Sequence, residues 1–184
     1  MFTAGEIQDI QKVKEVLINY FRPRLEQFPD NMKTFLVQYG ILTGGASASV
    51  FHHDIPNDYD VYLENESAVD TFTKMIESPD IMKFIKDVNE KYIAQVTVKG
   101  KLITARAVTF NNDIQVITCK TADSRKAFDF VHCMPYLSIK DYKYYISKEQ
   151  YDSIKDKQLK INIGAERTPD GHRFAKFVEK GWKE

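Results

Sequence analysis

The sequence predicts an α+β domain in which helices cover a mixed or antiparallel sheet. Apolar residues recur at helical spacing near the N-terminus, β-branched residues dominate positions 91–120, and helical patterns return after them. With 184 residues, of which 43% are hydrophobic, the chain can bury a core and is not expected to be disordered. We expect a single domain over residues 1–184, with an N-terminal helix at 4–21, a core at 32–120 and a C-terminal helical extension at 121–184.

The charge and the cysteines exclude several classes of protein. Basic and acidic side chains number 26 each, so no overall field would draw the chain onto nucleic acid or anionic lipid. Its two cysteines are too few for a disulfide framework or a cysteine-based metal cage. No apolar run approaches the roughly 20 residues that span a bilayer, and the N-terminus does not resemble a signal peptide. We therefore expect a cytoplasmic protein without a membrane partner.

The first helix has a recognisable start and a predicted end. Thr3 followed by Glu6 forms the pattern of a capping box, in which each side chain bonds the backbone N–H of the other residue. Apolar residues then recur at helical spacing from Ile7 to Leu17. Because proline lacks the N–H that a helix interior needs, Pro23 is expected to interrupt this run and end the helix near residue 21.

The remaining elements follow from patterns of apolar, β-branched and turn residues. Positions 32–45 predict a short helix followed by a strand that ends at two glycines, and positions 46–53 predict a second short helix. A loop at 54–58 leads into a strand at 58–63, helices are expected across 66–90, and a three-strand antiparallel meander is expected across 91–120. The tail has helical patterns near 123–128 and 148–156 and a basic, aromatic end.

Two short patterns in the middle of the chain carry the chemistry. Gly44 and Gly45 end one predicted strand, and after residues 46–57 the pair Asp58 and Asp60 opens the next. Side chains at positions i and i+2 of a strand project from the same side, so both carboxylates can enter one small volume. Two carboxylates that close repel each other, and a divalent cation relieves the repulsion. Asp58 and Asp60 are therefore candidate ligands of Mg²⁺ or Mn²⁺.

The glycines suit a phosphate group. Without a Cβ, a glycine turn lets the backbone approach phosphate oxygens, and the N-terminus of the following helix offers free N–H groups to the same anion. Ser47 or Ser49 adds a hydroxyl donor. Because magnesium usually keeps water and substrate phosphates in its coordination shell, the two patterns together predict a nucleotide site.

The stretch 39–63 resembles the signature of the polymerase-β-like nucleotidyltransferase superfamily, in which a Gly-Gly or Gly-Ser turn precedes the pattern Asp-hydrophobic-Asp-hydrophobic. The resemblance implies a minimal nucleotidyltransferase-like domain that binds a nucleoside triphosphate such as ATP. The tail, with a strand at 114–120, the segment Phe128-Asp129-Phe130 and the basic, aromatic end at 173–182, is similar to that of small proteins of phages and large DNA viruses. This second resemblance implies a phage or viral origin and, with it, a place in the host cytoplasm. The residues that match the signature are Gly44, Gly45, Asp58, Tyr59, Asp60 and Val61, and the expected nucleotide-binding residues are Gly44, Gly45, Ser47, Ser49 and Arg106.

In that superfamily a third acid usually lies on a later strand beside the Asp-x-Asp strand, and residues 112–120 occupy this place. Asp113 is our candidate for the third catalytic and metal-binding acid, with Asp58 and Asp60. A common register would instead put Gln115 in this position, and an amide cannot neutralise a second metal as a carboxylate does. The sequence leaves both assignments open.

The resemblance implies a metal-dependent enzyme that transfers a nucleoside monophosphate from an NTP to a hydroxyl acceptor and releases pyrophosphate. The acceptor could be an RNA end, a protein side chain or a small molecule, and a toxin of a toxin-antitoxin pair is one form of such an enzyme. The alternative is a catalytically inactive nucleotidyltransferase-like module that binds nucleic acid or a protein partner. Gln115 favours this alternative.

Other conspicuous residues have plainer interpretations. His52 and His53 are expected to be solvated loop residues, because adjacent histidines lack the spacing of a metal-ligand set. Asp129 is either functional or a buried capping carboxylate. The basic end could grip a triphosphate or nucleic acid, yet its aromatic residues also fit the buried stripe of an amphipathic helix. The residues of that end are Arg167, Arg173, Phe174, Lys176, Phe177, Val178, Lys180, Trp182 and Lys183.

Overall fold

The computed structural model describes residues 1–89, 96–98, 101–103 and 107–184, with side-chain burial for 1–86 and 107–184. In these ranges the helices are α1 (Ala4–Leu25), α2 (Asp30–Tyr39), α3 (Ala46–Phe51), α4 (Glu66–Met75), α5 (Pro79–Met82), α6 (Lys148–Asp156) and α7 (Gly171–Val178). The strands are β1 (Gly40–Thr43), β2 (Tyr59–Leu63), β3 (Ile85–Asn89), β4 (Val96–Val98), β5 (Lys101–Ile103), β6 (Ala107–Phe110), β7 (Ile114–Thr121), β8 (Tyr136–Ser138) and β9 (Tyr144–Tyr145). Turns of 3₁₀-helix cover Ala122–Ala127 and Val131–Cys133.

The main sheet is mixed and has seven strands in the order β3-β6-β7-β2-β1-β8-β9. β2 and β7 run parallel, and every other neighbouring pair in this order is antiparallel. β4 and β5 form a separate antiparallel pair. The predicted α+β class, a mixed sheet covered by helices, is confirmed.

The larger hydrophobic core lies between one face of this sheet and helices α1, α2 and α4. Phe21 of α1 contacts the ring of Tyr59 in β2 with centroids 6.0 Å apart, and Phe35 of α2 stacks on Phe72 of α4 at 6.4 Å. Buried and half-buried residues alternate along β2. The other face of β2 is therefore left free of this core and carries the polar residues of the strand.

Helix α1 continues past Pro23, which corrects the predicted end at residue 21. The capping box of Thr3 and Glu6 is present as predicted. Phe21 and Leu25, on either side of the proline, are buried. Burial of Leu25, the residue beyond the proline, contributes roughly 1.5–3 kcal/mol, which is of the same order as the cost of about 3 kcal/mol for a proline in a helix interior.

Part of the stretch predicted as helix is strand. α4 and the single turn of α5 occupy 66–82, but β3 at 85–89 pairs antiparallel with β6. β6 and β7 form an antiparallel pair, as the meander predicts. β3 is a strand because it pairs with β6, and the local pattern of residues 85–89 does not reveal this pairing. Much of the stretch 91–106 lies outside the described residues.

A second, smaller hydrophobic cluster joins the C-terminal region to α3. Its buried members are Ala48, Phe130, Cys133, Ile154, Leu159, Phe177 and Trp182. The predicted amphipathic helix at the end is α7, in which Phe177 is buried but Val178 is 45% exposed. Across the described ranges, none of the helices combines the length and the hydrophobicity needed to cross a lipid bilayer.

Candidate active site

The turn that joins β1 to α3 consists of two glycines in different conformations. Gly44 has a φ of 92°, in the left-handed region that residues with a Cβ rarely adopt, whereas Gly45 is in the right-handed helical region. A Cβ added to Gly44 would lie 2.8 Å from Oδ2 of Asp60. Gly44 is therefore required both by its backbone angle and by the carboxylate that lies against it.

The end of β1 is also tied to the segment that carries His132 and Cys133. The Gly44 N–H donates to the Cys133 carbonyl at 3.1 Å. The Thr43 hydroxyl, in a residue that is 2% exposed, donates to the Pro135 carbonyl at 2.9 Å. These hydrogen bonds hold the glycine turn beside the C-terminal part of the chain.

The structure places Asp58 and Asp60 together at the start of β2. Alternate residues of this strand enter the core, so Asp60 belongs to the opposite face of the sheet, and Asp58 immediately precedes the strand. Both line a cavity of about 1560 Å³, which Gly44 and Gly45 also line. Because Thr43 pairs with Asp60 across β1 and β2, the glycine turn and the carboxylates lie at the same end of the strand pair.

The structure does not bring Asp113 into this cavity. β2 and β7 run parallel with Asp60 opposite Gln115, and the Gln115 amide donates to Oγ1 of Thr109 at 3.0 Å. Asp113 lies in the turn before β7 with a φ of 65°, which breaks the alternation of a strand. Its carboxylate faces Arg24 of α1 at 3.9 Å. The third position is therefore occupied by Gln115, and the assignment of Asp113 is corrected.

The two serines of α3 point in different directions. Residues two apart on a helix do not share a face. Ser47 is 3% exposed and is not among the residues that line the cavity, so its predicted role in nucleotide binding is corrected. Ser49 lines the cavity, and its hydroxyl donates to the Gly45 carbonyl at 3.2 Å. Arg106, which was also predicted to bind nucleotide, lies outside the described residues.

Basic side chains from the C-terminal region line the same cavity. Arg167, Lys176 and Lys180 are exposed and form no ion pair with a carboxylate in the part of the chain that the structure describes. The Lys157 ammonium donates to the Lys180 carbonyl at 3.2 Å. The cavity thus brings the carboxylates of Asp58 and Asp60 together with cations from a distant part of the sequence. This combination suits a ligand that carries phosphate groups.

Arg173 belongs to the cavity lining but is already paired. Its Nε donates to Oδ2 of Asp129 at 2.7 Å and its Nη2 donates to Oδ1 at 3.0 Å, a two-pronged contact. Burial raises the pKa of Asp129, but the hydrogen bonds and the charge of Arg173 outweigh burial and hold that pKa below its ordinary value. Asp129 is therefore explained as the residue that fastens α7 to the rest of the chain.

Sequence reasoning missed His132. Its side chain is 1% exposed and lines the cavity, with its ring centroid 4.2 Å from that of Trp182 and 4.6 Å from that of Phe177. Burial lowers the pKa of His132 to about 4, so the imidazole is neutral at pH 7. Apolar neighbours such as Val131 hint at burial in the sequence. The surrounding rings come from α7 and the C-terminal end, and no local pattern indicates them.

His52 corrects the expectation of two solvated histidines. It follows the last residue of α3, and its Nε2 donates to the Ile154 carbonyl at 2.7 Å. Burial lowers the pKa of His52, and this hydrogen bond acts in the opposite direction. His52 is thus a half-buried link between α3 and α6, whereas His53 is exposed as expected.

Asp58 and Asp60 form a donor set that fits a hard metal ion. Among the described residues, no three His, Cys, Asp or Glu side chains converge in an arrangement that could hold a metal. Asp58 and Asp60 remain as a pair of oxygen donors. Two carboxylates suit a magnesium ion whose other ligands are water and phosphate, and Gln115 adds no charge for a second ion.

Comparisons with known proteins give a family and several structural likenesses, of which two are described. The family model of Gad2, described as Gabija anti-defense 2 family protein, matches residues 12–157. A solved structure of the Thermotoga maritima CCA-adding enzyme complexed with tRNA is similar, with 11% sequence identity and a TM-score of 0.47 over 87% of this chain and 45% of that chain. A CCA-adding enzyme in an apo form has 12% identity and a TM-score of 0.46 over 79% of this chain and 35% of that chain. The chain thus spans less than half the length of these two proteins. No curated protein matches it.

Proposed function

Since this chain belongs to the Gabija anti-defense 2 family, we propose that it is a nucleotidyltransferase that acts against the Gabija defence. It transfers a nucleoside monophosphate from an NTP to a hydroxyl group of an acceptor. The acceptor oxygen bonds to the α-phosphorus, the bond from that phosphorus to the pyrophosphate oxygen breaks, and the acceptor proton is released to water. The family name supports an acceptor that is part of that defence, whether an RNA end, a protein side chain or a small molecule.

The observation that carries the proposal is the contact between Gly44 and Asp60. A glycine turn with a left-handed residue can bring backbone N–H groups against phosphate oxygens. Here the missing Cβ of that residue leaves room for the Asp60 carboxylate, and Asp58 lines the same cavity. A phosphate seated on the turn therefore lies next to both carboxylates.

Asp58 and Asp60 are the residues that would hold Mg²⁺ or Mn²⁺. When bound, such an ion neutralises charge on the phosphates and makes the α-phosphorus easier to attack. The carboxylates also repel a phosphate that enters without a cation, so binding of the nucleotide should depend on the metal. Gln115, which lies opposite Asp60, is neutral and cannot serve as a third acid beside Asp58 and Asp60. The two carboxylates therefore support one ion rather than two.

The basic side chains of the cavity bind the rest of the triphosphate. Lys176 lies on α7 and Lys180 follows it, while Arg167 precedes the helix. Since none of the three is paired with a carboxylate in the described ranges, their charge is available to an anion. Arg173 is committed to Asp129 and contributes by fixing the position of α7.

The test is calorimetric titration of ATP, GTP, CTP and UTP into the protein with and without Mg²⁺, combined with an assay of pyrophosphate release. We expect metal-dependent binding of at least one NTP. Asp58→Asn and Asp60→Asn should each remove this binding and the release of pyrophosphate, because each substitution takes away a metal ligand but keeps the size of the side chain.

Asp113→Asn is the matched control. Asparagine also tolerates the left-handed conformation, so the turn before β7 is kept while the carboxylate is lost. We expect this variant to bind and turn over nucleotide like the wild type. Activity that survives both Asp58→Asn and Asp60→Asn would overturn the proposal, as would the absence of any metal-dependent NTP binding.

A second candidate function is a nucleotidyltransferase-like module that binds a partner without catalysis. Gln115 favours it, because the amide occupies the third position and is hydrogen-bonded to Thr109. Fluorescence anisotropy with labelled RNA and DNA oligonucleotides at several salt concentrations tests the nucleic-acid form of this candidate. Binding that is unchanged in Asp58→Asn and Asp60→Asn, without pyrophosphate release by the wild type, would favour the module over the enzyme.

A further inference from the structure

His132 is surrounded by aromatic rings at one end of the cavity. The ring of Trp182 lies over it at 4.2 Å with an angle of 31° between the planes, and Phe177 meets it edge-on at 4.6 Å. Phe130 is roughly parallel to it at 5.6 Å. All three aromatic partners belong to the smaller hydrophobic cluster. Planar groups therefore already stack in this part of the cavity.

Both ring nitrogens of His132 lack a hydrogen-bond partner among the residues that the structure describes. Buried polar groups in folded proteins nearly always have partners, so an imidazole with neither nitrogen bonded needs an explanation. His52 contacts the same tryptophan ring, at 6.1 Å, and its Nε2 is satisfied by a backbone carbonyl. The two histidines near Trp182 thus differ, and His132 is the one left with an unused donor and an unused acceptor.

We infer that His132 and Trp182 form the base-binding end of the cavity and take the heteroaromatic base of a nucleoside triphosphate. This inference rests on the proposed nucleotide-binding function. A base offers donors and acceptors on its edge and two faces for stacking, which matches an unbonded neutral imidazole beside an indole. The same cavity carries Asp58 and Asp60 for the phosphate end of such a ligand.

The chain itself links the two ends of this site. The Gly44 N–H donates to the carbonyl of Cys133, the residue after His132, so the glycine turn and the imidazole are fixed relative to each other. At the C-terminus, the backbone of Lys183 exchanges hydrogen bonds with Lys157 and Leu159, which holds Trp182 over the ring. Because the nitrogens of His132 are buried, entry of the base requires the Trp182 side chain to rotate about its own torsions while these backbone hydrogen bonds stay in place.

The tryptophan gives a direct measurement, since the chain contains one Trp. Addition of ATP, GTP, CTP or UTP with Mg²⁺ should change the emission of Trp182 in a saturable way, with the same Kd as calorimetry gives. His132→Phe should weaken binding of the preferred NTP by at least about tenfold and reduce discrimination among the bases. Inorganic tripolyphosphate, which has no base, should bind His132→Phe and the wild type equally.

Two further variants separate this role from a structural one. His132→Gln keeps a donor and an acceptor and should restore part of the NTP affinity that His132→Phe loses. His172→Phe is the matched control, because His172 is an exposed histidine of α7 and should leave NTP binding unchanged. Far-UV circular dichroism and Tm establish that each variant is folded.

The outcomes distinguish this inference from the proposed function. If the wild type binds an NTP but His132→Phe and His132→Gln bind it equally well, or if Trp182 emission does not change on saturation, the base site is elsewhere and the proposed function stands. If the wild type binds no NTP, both fail. Loss of tripolyphosphate binding in His132→Phe would assign His132 to the phosphate end and overturn the inference.

Discussion

Gly44 and Gly45 are chemically identical neighbours in very different surroundings. Gly44 is in the left-handed region and lies against Oδ2 of Asp60, whereas a Cβ added to Gly45 would meet nothing within 4 Å. Within the Gly-Gly motif, position 44 therefore requires glycine, whereas position 45 can accept a residue with a Cβ. The difference can be measured with a pair of otherwise equal substitutions.

Gly44→Ala is expected to lower the free energy of unfolding by about 2 kcal/mol, because of the left-handed backbone and the displaced carboxylate. Metal-dependent nucleotide binding should fall with it, since Asp60 must move. Gly45→Ala, the control, should change stability by less than about 1 kcal/mol, because alanine suits its right-handed conformation. Urea denaturation and calorimetry provide both readouts. Equal effects of the two substitutions would contradict the geometry of the turn.

The buried imidazole of His132 predicts a loss of stability as the pH falls. Burial lowers the pKa of His132 from 6.5 to about 4; among the charged groups that face it, Asp129 raises the pKa and Arg173 lowers it. Between these two values the unfolded chain binds a proton that the folded chain does not. The free energy of unfolding therefore rises with pH across this window, by about 3 kcal/mol in full.

The measurement is the urea midpoint of the wild type and of His132→Phe between pH 7 and pH 4.5. Carboxylates such as Asp129 titrate in both proteins, so the difference between the two curves isolates the histidine. The wild type should lose more stability than the variant toward low pH. Parallel curves would mean that His132 is protonated in the folded state.

At the residue scale, the sequence could predict only what local spacing determines. Asp58 and Asp60 are two positions apart where β2 begins, so strand alternation alone predicts that they share a side. Asp113 was misplaced because a left-handed turn residue does not follow strand alternation. For His132 the apolar neighbours hint at burial only, since Phe177 and Trp182 approach its ring from a distant part of the sequence once the chain has folded back.

At the scale of elements, α1 shows packing overriding a local rule. Pro23 cannot donate the backbone hydrogen bond that a helix would direct from residue 23 to the Asn19 carbonyl. The guanidinium of Arg24 donates to the neighbouring Tyr20 carbonyl at 2.7 Å. The helix continues because Leu25, one turn beyond the buried Phe21, is buried too. β3 is the converse case, in which pairing with β6 makes a strand where the local pattern predicted helix.

Pro23→Ala is accordingly expected to raise the free energy of unfolding by about 1–2 kcal/mol, because the regained helix propensity exceeds the entropy that the unfolded chain gains. Pro29→Ala is the control. Pro29 is the N-cap of α2 and has a φ of −55°, an angle that suits proline. Its replacement should therefore not raise the free energy of unfolding. Chemical denaturation with circular dichroism measures both. A loss of stability in Pro23→Ala would show that the proline sets a bend which the core requires.

At the scale of the whole molecule, the cavity lies where two hydrophobic clusters meet. Asp58 and Asp60 belong to or adjoin β2, which packs into the larger cluster, and Lys176 belongs to α7, which packs into the smaller one. The order of the chain does not reveal this, because α7 is separated from β2 by more than half of the sequence. A ligand that contacts both sides would connect the two clusters.

Saturating nucleotide and Mg²⁺ should therefore stabilise both clusters together. A ligand at one hundred times its Kd adds about 2.7 kcal/mol to the free energy of unfolding, which raises Tm by roughly 5–10 °C for a chain of this size. Trp182 emission follows the smaller cluster and far-UV circular dichroism follows the whole chain. In the wild type, we expect Tm measured by Trp182 emission and Tm measured by circular dichroism to rise by the same amount. In a variant that combines Asp58→Asn and Asp60→Asn, we expect neither Tm to change. A shift confined to Trp182 emission would mean that the ligand contacts the smaller cluster alone, which is incompatible with a triphosphate held at the aspartates.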